Sequence, residues 1–138
     1  MMKKLLIDTG PLISFFDESD RNSSKIRKKL QDFRGQLYST EAVITELAYY
    51  FNDLKPAQLY IMEWVSKGAL KILTIPDTEY YHILQLMHKY QDTPMDFCDA
   101  TLMYVGEREK IHDIATWDSD FRIYRYKNGS QLHMVWPL

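Results

Sequence analysis

The chain opens on Lys3-Lys4-Leu5-Leu6-Ile7-Asp8, two cations, three apolar residues and a carboxylate. That order predicts a short buried strand that delivers Asp8 to its C-terminal end. Thr9-Gly10-Pro11 turns the chain, and Pro11 suits the first turn of a helix running through Phe16. After a polar break from Asp17 to Ser24, Ile26, Leu30 and Phe33 recur at helical spacing within Lys25 to Phe33, and Gly35 ends that helix. Leu37-Tyr38 predicts the second strand. Ser39 or Thr40 caps a helix through Asn52, where Val43, Glu46, Leu47 and Tyr50 form one stripe, so a carboxylate shares the inward face. Pro56 opens the next helix, which runs to Lys67 and stops at Gly68. Leu70 to Ile75 alternates as a strand closed by Pro76, and Asp77 or Thr78 caps a helix through Tyr90. Asp92-Thr93-Pro94 is a turn. Asp96 to Arg108 is a helix, Ile114-Ala115-Thr116 a buried strand, and Lys127-Asn128-Gly129-Ser130 a turn before a last strand around Met134-Val135-Trp136. Strands alternating with helices imply a parallel sheet with right-handed crossovers.

Composition narrows the class without naming a function. The 138 residues form a single domain, 1–138, long enough to bury roughly two-thirds of the surface of the unfolded chain. A 46% hydrophobic and 26% charged share is ordinary for a globular protein, and no run approaches the ~18 apolar residues of a membrane span. The apolar run at the start ends at Asp8, short of the ~7 residues a signal peptide needs, so a cytoplasmic protein with no membrane association is expected. The single cysteine, Cys98, agrees with a reducing compartment. As a nucleophile it lacks an adjacent base and has aspartates on either side, which favours a small packed side chain. A net charge of −2 gives no global attraction for nucleic acid. The four histidines, His82, His88, His112 and His133, lack a zinc-like spacing.

The chemistry lies in four acidic stretches: Leu5-Leu6-Ile7-Asp8, Thr45-Glu46, Asp96-Phe97-Cys98-Asp99 and Thr116-Trp117-Asp118. Two end predicted strands and two sit on helices, so a sheet edge would gather them. Carboxylates so gathered repel one another unless a cation holds them, which points to a divalent metal site. Each residue also has a plain alternative. Asp96 and Asp99 have the spacing of a capping box, Asp8 and Asp118 suit turns, Glu46 suits a solvated helix face, and Asp120 suits a first helical turn or an auxiliary ligand.

Leu6-Ile7-Asp8-Thr9-Gly10-Pro11-Leu12-Ile13, Thr45-Glu46-Leu47-Ala48, Pro94-Met95-Asp96-Phe97-Cys98-Asp99-Ala100-Thr101-Leu102 and Ala115-Thr116-Trp117-Asp118-Ser119-Asp120-Phe121, in this order, resemble the PIN domain family, and more narrowly its VapC-type toxins and stand-alone relatives. The resemblance implies a three-layer α/β/α sandwich with a mainly parallel sheet of about five strands. It also implies an endoribonuclease for single-stranded RNA dependent on Mg²⁺ or Mn²⁺, with the acidic quartet carried onto Asp8, Glu46, Asp99 and Asp118. Thr9 and Thr116 match the family's hydroxyl neighbours, and Asp96 and Asp120 are auxiliary positions. VapC-type relatives further imply a homodimer and a cognate antitoxin protein.

Substrate contacts are less legible. Arg122-Ile123-Tyr124-Arg125-Tyr126-Lys127 interleaves cations with aromatics, as either a single-strand binding surface or an exposed segment with tyrosines packed inward. Lys25, Arg27, Lys28 and Lys29 form a basic helix face of the kind that is usually only solvated. Tyr49-Tyr50-Phe51 and Leu59-Tyr60-Ile61-Met62 with Trp64 are expected mostly in the core, any surplus forming a patch for a dimer partner or an antitoxin segment. An aspartyl-phosphate mechanism fails because Gly10 stands where a second Asp is needed, and dinucleotide, P-loop and serine-hydrolase motifs are absent. The alternative to the nuclease is a catalytically silent PIN-like RNA-binding or protein-interaction module.

Overall fold

The structure is a computed structural model that describes residues 2–137. Strand β1 (Lys3–Ile7) lies at the centre of a five-stranded, wholly parallel sheet. On one side it pairs with β2 (Gly35–Ser39), which pairs with β3 (Leu70–Ile72). On the other it pairs with β4 (Asp113–Ala115), which pairs with β5 (His133–Val135). Leu5, Leu6 and Ile7 are all buried. Successive side chains point to opposite faces, so consecutive burial requires cover on both, and the fold is a three-layer α/β/α sandwich. The helices are α1 (Thr9–Phe16), α2 (Ser23–Asp32), α3 (Glu41–Tyr50), α4 (Lys55–Ser66), α5 (Tyr80–Lys89) and α6 (Phe97–Arg108).

Most predicted elements stand within two residues of their expected ends, and the departures have local causes. Helix α1 starts earlier than the Thr9-Gly10-Pro11 turn predicts, because the Asp8 carboxylate accepts from the Thr9 amide and caps it. The strand predicted over Leu70 to Ile75 stops at Ile72, with one further rung from the Leu73 amide to the Ser39 carbonyl. Strand β2 ends there as Thr40 leads into α3, and no neighbouring backbone remains to pair. Neither Asp77 nor Thr78 caps α5 with its side chain; Pro76 leads into a 3₁₀ turn, Asp77–Glu79, from which the α-helix continues. At α3, Val43 and Leu47 are buried but Tyr50 and Glu46 are exposed, so the inward stripe is completed by Phe51 instead. The large side chains of α3 and α4 are mostly outside the core: Phe51 and Ile61 are buried, whereas Tyr49, Tyr50, Leu59, Tyr60 and Met62 are exposed.

Helix α6 crosses β1 closely enough to need a glycine. A Cβ on Gly106 would stand 2.3 Å from the Tyr126 hydroxyl oxygen and 2.8 Å from Leu6 Cδ1. The Tyr126 hydroxyl is itself committed, donating to the Ile111 carbonyl at 2.8 Å. Gly106→Ala is therefore expected to cost about 1–3 kcal/mol through overpacking, more than the helix propensity it gains. Urea denaturation measures this, and an unchanged midpoint would show that α6 can move off β1 freely.

Candidate active site

The C-terminal ends of β1 and β4 are tied together at their last residues. The Asp8 amide donates to the Ala115 carbonyl at 2.9 Å. Beyond it, the buried Thr116 hydroxyl donates to Asp8 Oδ2 at 2.8 Å and accepts from the Asp118 amide at 3.0 Å. One threonine thus fixes the Asp8 carboxylate and the backbone of Asp118. Asp8 Oδ1 accepts from the Thr9 amide at 2.8 Å, and the Thr9 hydroxyl reaches across to Glu46 Oε1 on α3 at 2.7 Å. Each hydroxyl therefore fixes one carboxylate, Thr116 that of Asp8 and Thr9 that of Glu46, while the backbone ties each to a second acidic residue.

Asp99 enters from α6. Asp96 and Asp99 form the expected capping box: Asp96 Oδ1 accepts from the Asp99 amide at 2.8 Å, and Asp99 Oδ2 accepts from the Asp96 amide at 3.4 Å. Asp96 itself is exposed, while Asp99 is buried and its Oδ2 also accepts from the Tyr124 hydroxyl at 3.1 Å. Asp118 Oδ1 accepts from the Asp120 amide and so caps the 3₁₀ turn Ser119–Arg122. Asp120 responds to Asp118 alone among the carboxylates, and burial together with that charge raises its pKa.

Electrostatics report the convergence. Burial raises the Asp8 carboxyl above its ordinary value, the Thr116 and Thr9 hydrogen bonds oppose this, and the charges of Asp118 and Glu46 add to it. Burial also pushes Asp99 up to about 7, with the charges of Asp96 and Asp8 adding to the rise and the Tyr124 hydroxyl opposing it. Asp8, Glu46, Asp99 and Asp118 thus feel one another directly or through Asp8. They repel, and of the two at the centre Asp99 is buried and Asp8 half-buried.

The chemistry of this donor set suits a hard divalent cation. Every group is a carboxylate or hydroxyl oxygen, and a cation would relieve the repulsion that raises Asp8 and Asp99. Among the described residues, however, no three carboxylate, thiol or imidazole groups already stand at the spacing that would hold one ion. Closure onto a cation therefore requires side-chain rotation. The engaged oxygens of Asp8, Glu46 and Asp118 each keep a second lone pair for that purpose, and Asp99, whose Oδ2 already accepts twice, offers its Oδ1.

A model of the PIN domain matches residues 5–126. The chain belongs to the PIN domain family. Among relatives of the PIN domain, Ribonuclease VapC26 of Mycobacterium tuberculosis is 22% identical over 116 residues, spanning 83% of this chain and 86% of the relative. Among solved structures, Mycobacterium tuberculosis VapC20, described as a sarcin-ricin loop cleaving toxin, superposes with a TM-score of 0.77 at 13% identity. That match covers 86% of this chain and 93% of VapC20, and it shows the fold.

Two residues of this edge escaped the sequence reading as parts of it. Tyr124 is fully buried against Phe121 and Tyr90, with ring centroids at 5.2 and 5.1 Å, and its hydroxyl holds Asp99. Its pKa is raised by burial and by the Asp99 charge. Tyr126 is buried as well, so the tyrosines of the basic-aromatic segment pack inward and are not available for base stacking. Cys98 is packed, as its surroundings in sequence predict, but it packs among the carboxylates: burial, then Asp8, Glu46 and Asp96, push its thiol up. No periodicity carries either signal, because both contacts join residues far apart in the chain. In the basic helix, Arg27 donates to the Phe15 carbonyl and Lys28 pairs with Asp32, leaving an ordinary solvated face.

Proposed function

We propose that this PIN domain is a Mg²⁺- or Mn²⁺-dependent endoribonuclease that cleaves single-stranded RNA, working in the cytoplasm as the toxin of a toxin–antitoxin pair. The observation that carries the reading is the placement of half-buried Asp8, at the end of the central strand, and buried Asp99, at the start of α6, within range of each other's charge and near Asp118 and Glu46. A stable fold gains nothing from burying mutually repelling carboxylates, so their retention fits a cation-dependent task. Ribonuclease VapC26 and the toxin VapC20 support RNA as the substrate class.

In this reading Asp8, Asp99 and Asp118 hold the cation, and Glu46 completes the set. When bound, the cation lowers the pKa of a water for attack on phosphorus and shields the charge of the phosphate. Thr116 orients the Asp8 carboxylate and anchors the backbone of Asp118, while Thr9 holds Asp8 through its amide and Glu46 through its hydroxyl. Tyr124 fixes the rotamer of Asp99. Asp96 is a positioning residue that holds the start of α6, and Asp120 steadies Asp118. The exposed apolar side chains of α3 and α4 offer room for the homodimer and antitoxin contacts that the toxin reading includes.

The second reading is a silent PIN-like module that binds RNA or protein. It is favoured by the lack of a ready three-ligand group among the described residues. Cleavage of a fluorogenic mixed-sequence RNA with Mn²⁺ or with EDTA separates the two, with Asp8→Asn as the control for contaminating nuclease. Cleavage that needs Mn²⁺ and disappears in the variant is the expected result. Binding of Mn²⁺ and RNA without turnover would establish the silent module.

A further inference from the structure

Beside the carboxylate edge a cleft of about 240 Å³ opens between the starts of α3 and α6, lined among others by Thr40, Glu41, Thr45, Tyr80, Phe97 and Thr101. Two of its walls are the helices that carry Glu46 and Asp99, and Leu73, Thr74 and Ile75 with Tyr80 form the rest. Thr45 precedes Glu46, Phe97 stands two residues before Asp99 and Thr101 two after it. The Thr40 and Thr101 hydroxyls meet at 2.9 Å and join the two walls. The cleft and the acidic edge thus share two helices, although none of the four acids lines the cleft itself.

The lining has a particular chemistry. Phe97 and Tyr80 are large rings left 42% and 44% exposed, and they lie nearly parallel, with centroids 6.2 Å apart and planes at 23°. An uncovered aromatic pair presents a π-face on which a planar group stacks. The rim supplies an acceptor: the exposed Thr45 hydroxyl gives its proton to the Glu41 carbonyl and keeps a lone pair free. The exposed Glu41 carboxylate, in the first turn of α3, has no hydrogen-bond or ionic partner among the described residues. The cleft falls below the ~300–1,000 Å³ of pockets that enclose drug-sized molecules, a size for one flat ring system.

We propose that this cleft is a nucleobase subsite. A base of the RNA strand stacks on Phe97 and Tyr80 and offers an exocyclic amine to Glu41, so that cytosine, with an amine at C4, is held in preference to uracil, with a carbonyl there. RNA as the source of the base rests on the nuclease reading of the neighbouring carboxylates.

Fluorescence anisotropy with short labelled oligo-C and oligo-U tests the subsite, in Ca²⁺ to neutralise the acidic edge and with strand integrity checked on a gel. Both rings are exposed, so Phe97→Ala and Tyr80→Ala should fold as the parent does. The wild-type chain should bind oligo-C more tightly than oligo-U. Phe97→Ala should weaken both by about 5- to 100-fold, the range for loss of one stacked base. Glu41→Gln should bring the two oligonucleotides level, since an amide serves both C4 groups. Unchanged binding in Phe97→Ala and Tyr80→Ala would overturn the proposal. So would unchanged binding with a fall in molar mass by light scattering, which would assign the face to a second copy. A chain that cleaves RNA with Mn²⁺ but binds independently of Phe97 loses the subsite and keeps the nuclease. One that binds through Phe97 without cleaving keeps the subsite and loses the nuclease.

Discussion

Asp99→Asn is expected to reduce Mn²⁺-dependent RNA cleavage by at least about 100- to 1,000-fold while raising the melting temperature of the cation-free protein. The two effects have one cause. Cation assistance at a phosphate supplies several kcal/mol of transition-state stabilisation, and each ~1.4 kcal/mol lost is tenfold in rate. An amide oxygen is a poorer ligand than a carboxylate, so the substitution removes a good part of that assistance. In the absence of the cation the same substitution removes a buried charge repelled by Asp96 and Asp8, and Asn still accepts from the Tyr124 hydroxyl. Loss of activity with a lower melting temperature would mean that Asp99 is chiefly a capping residue of α6. Retained activity would remove Asp99 from the cleavage mechanism.

The cation-free protein should lose stability as pH rises from about 4 through about 7, and Mn²⁺ should restore it. Asp99 titrates near 3.8 when unfolded and near 7 when folded. Between those values the folded chain holds a proton that the unfolded chain has released, which favours folding. This contribution is fully present below about pH 4 and is lost as pH rises through about 7. Asp8 acts in the same direction. Asp17 and Glu79 act in the opposite one, since hydrogen bonds lower both, but they are surface groups with a small share. The difference in melting temperature between wild type and Asp99→Asn across this range isolates Asp99. Above pH 7 a cation at 100 times its dissociation constant adds about 2.7 kcal/mol of stability. A melting temperature indifferent to Mn²⁺ above pH 7 would show that these carboxylates hold no cation.

Local pattern was enough for nearly every element. The apolar run before Asp8, the helical spacing of Ile26, Leu30 and Phe33, and the Asp96–Asp99 capping box each rest on residues within a few positions of one another. The reading failed where a second segment set the outcome. Tyr50 has helical spacing with Val43 and Leu47, yet its hydroxyl donates to Asp17 at the surface. Tyr124 sits in a segment whose alternating cations and aromatics are as compatible with RNA contact as with burial, and only its place beside Phe121 and Tyr90 decides for burial.

The sequence by itself determined the alternation of strands and helices and the parallel sheet, because these depend on periodicity, caps and turn residues, and its short motifs singled out the four acidic residues as candidates. Tertiary structure alone decided that one hydroxyl, Thr116, joins the Asp8 carboxylate to the backbone of Asp118, that Tyr124 holds Asp99, and that Phe97 and Tyr80 stack with both rings partly exposed. Thr116 lies 108 residues from Asp8, and Tyr124 lies 25 from Asp99. Contacts at such separations are fixed by the crossing of packed layers, about which the spacing of residues along one element carries no information.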